Sequence, residues 1–341
     1  SKIAYHVYIT ISKEGRIARY SMDEETGALI HQGDISAPGR PAPIAVDPQQ
    51  KFMYVARRDD LRINSYRINS SDGDLTETGS ISIPTDPCHM AMDRTGKFLL
   101  SAHYMGARAM VHRVGYGGAL ETEPAEDFHT SIGSHCFQTD PTNNFAFIPH
   151  IDNRGGANAI FQFKFDEVTG KLESNSPARV PQDKSVGPRH FCFHPSLDIL
   201  YFSNEQGSSV SAYSFDRRSG LLSHKQTVNN LPLGWTTFSK CSQIRIIPNG
   251  RYLYAPNRGN DTIAEYEVDP ASGLLTPLGH TPSQEFPRVF DIDPKGKFIL
   301  SAGLYDGKVG VFRIAKNGRL KKIEVYDVGE EPMWVMILNS Q

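Results

Sequence analysis

The chain has 341 residues, and its 36 Lys and Arg against 38 Asp and Glu give a formal net charge of −2. That balance excludes the global basic field that recruits nucleic acid or an anionic membrane, so any anion binding has to be local. The four cysteines, Cys88, Cys136, Cys192 and Cys241, form no Cys-x-x-Cys pair; metal-ligand spacing is absent, and they read as reduced, buried small residues.

The N-terminal stretch SKIAYHVYITIS alternates like a strand and has no apolar core with a cleavage site. No run reaches the length of a membrane span, and with free cysteines this favours the cytoplasm. From there the chain repeats one unit. A turn flanked by strands recurs in DPQQKFMYVARR (47–58), DRTGKFLLSAHY (93–104), DPTNNFAFIPHI (140–151), HPSLDILYFSNE (194–205), IPNGRYLYAPNR (247–258) and DPKGKFILSAGL (293–304). Successive copies start 46, 47, 54, 53 and 46 residues apart, the length of a four-stranded sheet.

Each copy follows one plan. A short apolar strand precedes the Asp-Pro type turn, whose Pro and Gly or Asn suit fixed and positive φ. A second strand follows, then an alternating third such as RINSYRI, SSVSAYSF or DGKVGVFRI, a Gly-x-Leu hairpin, and a polar outer strand. No segment has sustained helical periodicity. AYHVYITISKEGRIARYSMDEETGALIHQGDI (4–35) supplies strands two to four of a seventh unit, and EEPMWVMILN near the C-terminus supplies its strand one. The reading is therefore all-β: a single seven-bladed β-propeller domain over residues 1–341, its closing blade made from one C-terminal and three N-terminal strands. Complementary terminal halves argue against an open solenoid or two sandwiches, since a solenoid would carry polar caps.

Antiparallel strands one and two bring the start of the first and the end of the second to one rim near the axis. Five positions before each turn residue stand Ala42, Cys88, His135, Arg189, Ser242 and Arg288, with Met333 in the closing blade; eleven after it stand Arg58, Tyr104, Ile151, Glu205, Arg258 and Leu304. One imidazole, one carboxylate and several guanidiniums at a common mouth predict a site for a small anion, because guanidinium forks match carboxylates and phosphates. A solvated or ion-paired rim is the plain alternative for any one arginine. His103 and His150 stand one residue short of the mouth, within reach of it. Arg245 and Asp291 hold equivalent positions in neighbouring blades and read as a buried structural pair. His89 and His190 read as hydrogen-bonded structural residues, and His194 as a substitute for the turn Asp. No GxSxG elbow, HExxH, phosphate loop or EF-hand loop occurs. With Glu205 the single mouth carboxylate, no metal or other cofactor is expected.

VGPRHFCFHPSLDILYFSNEQGSSVSAYSF resembles the GPRH…FHP…NE…SSV segment of the propeller-type 6-phosphogluconolactonases, a family that includes fungal carboxy-muconate cyclases. The likeness extends through GSHCFQTDP, IPNGRYLYAPNR, FPRVFDIDPKGKFILSAG and VGEEPMWVMI. It implies a metal-independent lactone-handling enzyme, with His135, Arg189, Glu205 and Arg258 as catalytic residues. Departures at Arg245, at His103 in SAHY and in PHIDNRGG (149–156) put 6-phosphogluconolactone itself in question as the substrate. The expected partner is a small anionic lactone, not nucleic acid or membrane. Glu205 or His135 would activate water, Arg189 or Arg258 would hold the oxyanion, and Arg288 and Arg58 would bind the anionic group. Lactonizing cycloisomerisation of an unsaturated dicarboxylate and a non-enzymatic interaction role are the competing readings.

Overall fold

The computed structural model describes residues 4–340. Among them the strands form seven antiparallel sheets, and helix is limited to the single turns Ser12–Glu14 and Tyr116–Gly118. Blades one to six follow in chain order over 41–82, 89–129, 138–181, 188–229, 240–282 and 287–327. The closing blade joins Pro332–Leu338 to Ala4–Ile11, Arg16–Asp23 and Leu29–Ser36, in that order across the sheet. This is the seven-bladed β-propeller, with the strand exchange anticipated from the two terminal fragments. No helix among the described residues is long and apolar enough to cross a membrane.

By contact density the chain parts into two compact units. One comprises residues up to Ser36, His190–Phe215 and the chain from Ser223 onward, which holds the closing blade, blades five and six and most of blade four. The other comprises Ala37–Arg189 and Asp216–Leu222, with blades one to three.

The turns that carry the repeat work by one device. The Asp47 carboxylate accepts from the amides of Lys51 and Phe52 at 2.7 Å each, and Asp93, Asp140 and Asp293 bind the matching amides of their own turns. In blade four His194 takes over, its Nδ1 accepting from the amides of Ser196 (3.1 Å) and Leu197 (2.9 Å). A short side-chain acceptor thus closes five of the six turns, carboxylate or imidazole, while blade five has Ile247 there.

A second device joins consecutive blades. Tyr54 donates its hydroxyl to the Gly118 carbonyl, Tyr201 to Gly273 and Tyr254 to Gly318, each at 2.6 Å. Burial pushes all three phenols up in pKa, so they remain donors. The hairpin glycines are required there. Gly118 and Gly318 have φ of 87° and 85°, and a Cβ on either would stand 2.3 Å from the ring of Phe52 or Tyr252. Apolar side chains fill the space between blades: Phe98, Val111, Phe137, Ile148 and Phe161 between two and three, Tyr201, Ile244, Leu253 and Tyr266 between four and five. These layers hold the strand ends that carry the candidate site.

Candidate active site

In the unit containing blades four to six, Glu205 directly follows the strand Ile199–Asn204, and Arg258 ends the strand Tyr252–Arg258. They are the positions eleven residues past the turn in adjacent blades. Glu205 is 3% exposed and Arg258 1%. Nη2 of Arg258 donates to Oε1 of Glu205 at 2.7 Å and to the Cys241 carbonyl at 2.5 Å. Gln206 donates to Oε2 of Glu205 at 2.7 Å. Nε of Arg258 is buried with no hydrogen-bond partner among the described residues. A guanidinium so placed is anchored at one corner and keeps an unspent donor, an expensive arrangement for a purely structural pair.

The backbone around the pair is held firmly. Ser239 donates its hydroxyl to the Arg258 carbonyl (3.1 Å), and, both almost wholly buried, Asn230 donates Nδ2 to Oδ1 of Asn257 (2.8 Å) while Asn257 donates Nδ2 to the Asn230 backbone carbonyl (2.9 Å). Ser203 donates to the Ser242 carbonyl at 2.9 Å, and Ser242 donates to the Pro287 carbonyl at 2.8 Å. Hydroxyls therefore link the second strand of blade four to the first residues of blades five and six in series. Arg288 is half-buried and sits at a register shift, where Pro287 pairs with Gly303 and Val289 with Ala302. A bulge of this kind re-aims the side chain of its extra residue.

In the other unit His135 is 3% exposed. Its amide donates to the Pro149 carbonyl at 3.1 Å and its ring stands edge-on to Tyr104, with centroids 5.9 Å apart. Arg189, the second residue of the strand Pro188–Phe193, is also buried. Arg58 is half-buried and gives both Nε (3.0 Å) and Nη2 (2.8 Å) to one oxygen of Asp86.

His103 and His150 have no exposed surface. His103 binds Thr85 Oγ1 through Nδ1 at 2.8 Å and Ser101 Oγ through Nε2 at 2.9 Å. His150 donates Nδ1 to the Ile148 carbonyl at 2.9 Å and stacks on Phe161 with centroids 3.8 Å apart. Burial drives both down to about 3, so both are neutral. Standing one residue before the rim position, each turns into its own blade, as the alternation of a strand dictates.

The residues read as structural behave so. Nε of Arg245 lies 3.6 Å from Oδ1 of Asp291 and donates to the Phe290 carbonyl at 2.8 Å. His89 accepts from the Phe137 amide at 3.2 Å. No disulfide joins any two of the four cysteines. Among the described residues no group of three or more His, Cys, Asp or Glu side chains is arranged to hold a metal ion. Counting from the turns missed Lys240 and Phe286, which border Arg258. They stand at one shared position two residues outside the rim set, and extending the count would have found them.

A buried acid–guanidinium pair thus stands at strand ends of a seven-bladed propeller. Family comparison makes the class definite. The sequence model described as "Lactonase, 7-bladed beta-propeller" matches residues 6–337, and the chain belongs to that family, a family of enzymes acting on lactones. It is 34% identical over 334 residues to the 6-phosphogluconolactonase of Pectobacterium carotovorum subsp. carotovorum, covering 98% of this chain and 85% of that protein. The 6-phosphogluconolactonase of Serratia proteamaculans is 31% identical, over 97% of this chain and 98% of the relative. Among solved structures, the periplasmic gluconolactonase PpgL of Pseudomonas aeruginosa superposes with a TM-score of 0.89 at 22% identity, covering 99% of this chain and 100% of that one. That likeness concerns the fold.

Proposed function

We propose that the protein is a metal-independent lactonase that opens an anionic sugar-acid lactone, of the 6-phosphogluconolactone kind, to the free acid. The observation that carries this reading is the buried Glu205–Arg258 pair with its unspent Nε–H. In a lactonase family it supplies a base and an oxyanion donor side by side.

The Glu205 carboxylate takes a proton from water as the water oxygen bonds to the lactone carbonyl carbon. The oxyanion that forms accepts from Arg258, whose remaining donors are already oriented by its hold on Glu205 and the Cys241 carbonyl. Collapse breaks the bond to the ring oxygen, which leaves with the proton held by Glu205. An ester already strained in a ring needs positioning, a base and a cationic donor, and no covalent nucleophile. His135 and Arg189 hold the equivalent rim positions of blades three and four. Arg288, re-aimed by its bulge, is the proposed contact for the substrate anion. Arg58 commits Nε and Nη2 to Asp86. His103 and His150 act by fixing the strand ends they pack into. Four cysteines that form no disulfide suit the reducing cytoplasm, where we place the protein.

The test is turnover of 6-phosphogluconolactone, glucono-δ-lactone and a muconolactone, with and without a chelator. Turnover of a sugar lactone undiminished by chelator is expected. Activity confined to the muconolactone, or abolished by chelation, would overturn the reading.

A further inference from the structure

Seven residues before the turn residue of each repeat, the chain places Arg40, Asp86, Gly133, Gly187, Lys240 and Phe286. Four of these adopt positive φ: Arg40 (59°), Gly133 (107°), Gly187 (65°) and Phe286 (58°). Glycine occupies two of the four, as expected where a Cβ is penalised. A bulky aromatic in this conformation is a costly choice, and such strain gathers at functional positions. The strained backbone of Phe286 is pinned from both sides: its amide donates to Oδ1 of Asp261 at 3.0 Å, and its carbonyl accepts from the Leu304 amide at 3.1 Å.

The ring held in this way is half-buried and ringed by specific partners. Tyr305, 64% exposed, stacks on it with centroids 4.6 Å apart at 29°. The Arg258 guanidinium carbon lies 5.6 Å from its centroid and the Lys240 ammonium 5.9 Å. Lys240 also stands 5.8 Å from the ring of Phe238, itself 66% exposed, and pairs across the sheet with Arg258. The Phe286 ring therefore adjoins the proposed oxyanion donor, with a second cation over it.

We propose that Phe286 and Lys240 determine which lactone the Glu205–Arg258 site accepts. The C–H face of the lactone ring lies on the Phe286 ring, and the ammonium of Lys240 binds the exocyclic anion of the same substrate. An aromatic face offers a sugar ring apolar area without competing for its hydroxyls, and a cation over two rings is already partly stripped of water. Lys240 is a point charge on a flexible stem, suited to a terminal phosphate or carboxylate beyond the reacting carbonyl. This inference rests on the lactonase reading, but its readout is binding and needs no turnover.

Titration calorimetry with 6-phosphogluconate and gluconate, the open acids with and without a phosphate, tests it on wild-type protein, K240M, F286A and F286Y. K240M is expected to weaken 6-phosphogluconate by about 10- to 100-fold, the scale of one lost charge-assisted contact, and to change gluconate by less than about twofold. F286A is expected to weaken both acids by a similar factor of about 5 to 10, with F286Y restoring them. If F286A does not fold by thermal unfolding, F286L is read in its place. A K240M effect equal on both acids, an F286A affinity equal to wild type, or wild-type protein that binds neither acid overturns the inference. Wild-type turnover of 6-phosphogluconolactone is measured alongside. No turnover with the binding pattern intact sinks the lactonase reading alone, and turnover with flat binding across the variants sinks this one alone.

Discussion

Arg258 reaches Glu205 across neighbouring blades with a 2.7 Å hydrogen bond, and neither side chain has appreciable contact with solvent. Burying two charges is costly, and the pair is tolerated because each neutralises the other. Removing one partner strands the other. Arg258→Met is expected to lower stability by about 3–5 kcal/mol, read as a shift in urea midpoint, while the double variant with Glu205→Gln recovers part of that loss. Glu205→Gln alone is expected to cut kcat by at least about 100-fold, the usual weight of a general base. Single-variant stabilities that simply add in the double would mean that the charges are not coupled. Full activity in Glu205→Gln would remove it from the mechanism.

The pH dependence of stability follows from three imidazoles. Burial pushes His103 to about 3, His112 to about 4 and His150 to about 3. In the unfolded chain each titrates near 6.5. Below that pH the unfolded state takes up protons that the native state refuses, so stability is fully present above about 6.5 and lost as pH falls toward the folded values. The slope is at most about 1.4 kcal/mol per pH unit for each group. The urea midpoint is expected to drop between pH 7 and pH 5, and to drop less in His103→Gln. An identical drop in that variant would show that His103 is not held neutral.

Much of this was legible because the repeat is written in local chemistry. An Asp or His that caps its own turn, and a glycine where φ is positive, announce themselves within a few residues of sequence. The count from those turns reached Glu205 and Arg258, whose places depend only on strand length. It did not reveal that Arg58 meets Asp86, that His103 spans Thr85 and Ser101, or that a bulge falls at Arg288. Those depend on which side chain a neighbouring strand presents and on where a ladder slips, neither of which leaves a period in the sequence. Phe286 was passed over for a related reason. The count locates it two residues outside the rim, but its significance lies in a backbone angle that the sequence does not display.

The turn of blade four isolates one part of that local chemistry. His194 Nδ1 accepts two amide hydrogens, as the Asp carboxylate does in four other turns. His194→Ala leaves both amides without that acceptor and is expected to cost about 1–2 kcal/mol. His194→Asp restores an acceptor and is expected to stay within about 0.5 kcal/mol of wild type. Chemical denaturation of both variants decides the matter. Equal losses in the two would mean that packing of the imidazole, and not its nitrogen, holds the turn.

Closure of the propeller supplies the last expectation. The strand Pro332–Leu338 pairs on one edge only, with Ala4–Ile11, so amides on its other edge need partners elsewhere. Asp291 of blade six provides one: Oδ2 accepts from the Ile337 amide at 2.8 Å while Oδ1 accepts from its own neighbour Ile292 at 2.8 Å. Burial raises the Asp291 pKa, and the Arg245 charge and then these two amides offset part of that cost. Asp291→Ala is expected to speed hydrogen exchange at Ile337 well beyond any change at the amides of blade five, and to cost about 1–3 kcal/mol overall. Protection at Ile337 equal to wild type would place the latch in the pairing with Ala4–Ile11 alone. Faster exchange spread evenly over every blade would show instead that Asp291 supports the fold as a whole and not the closing strand.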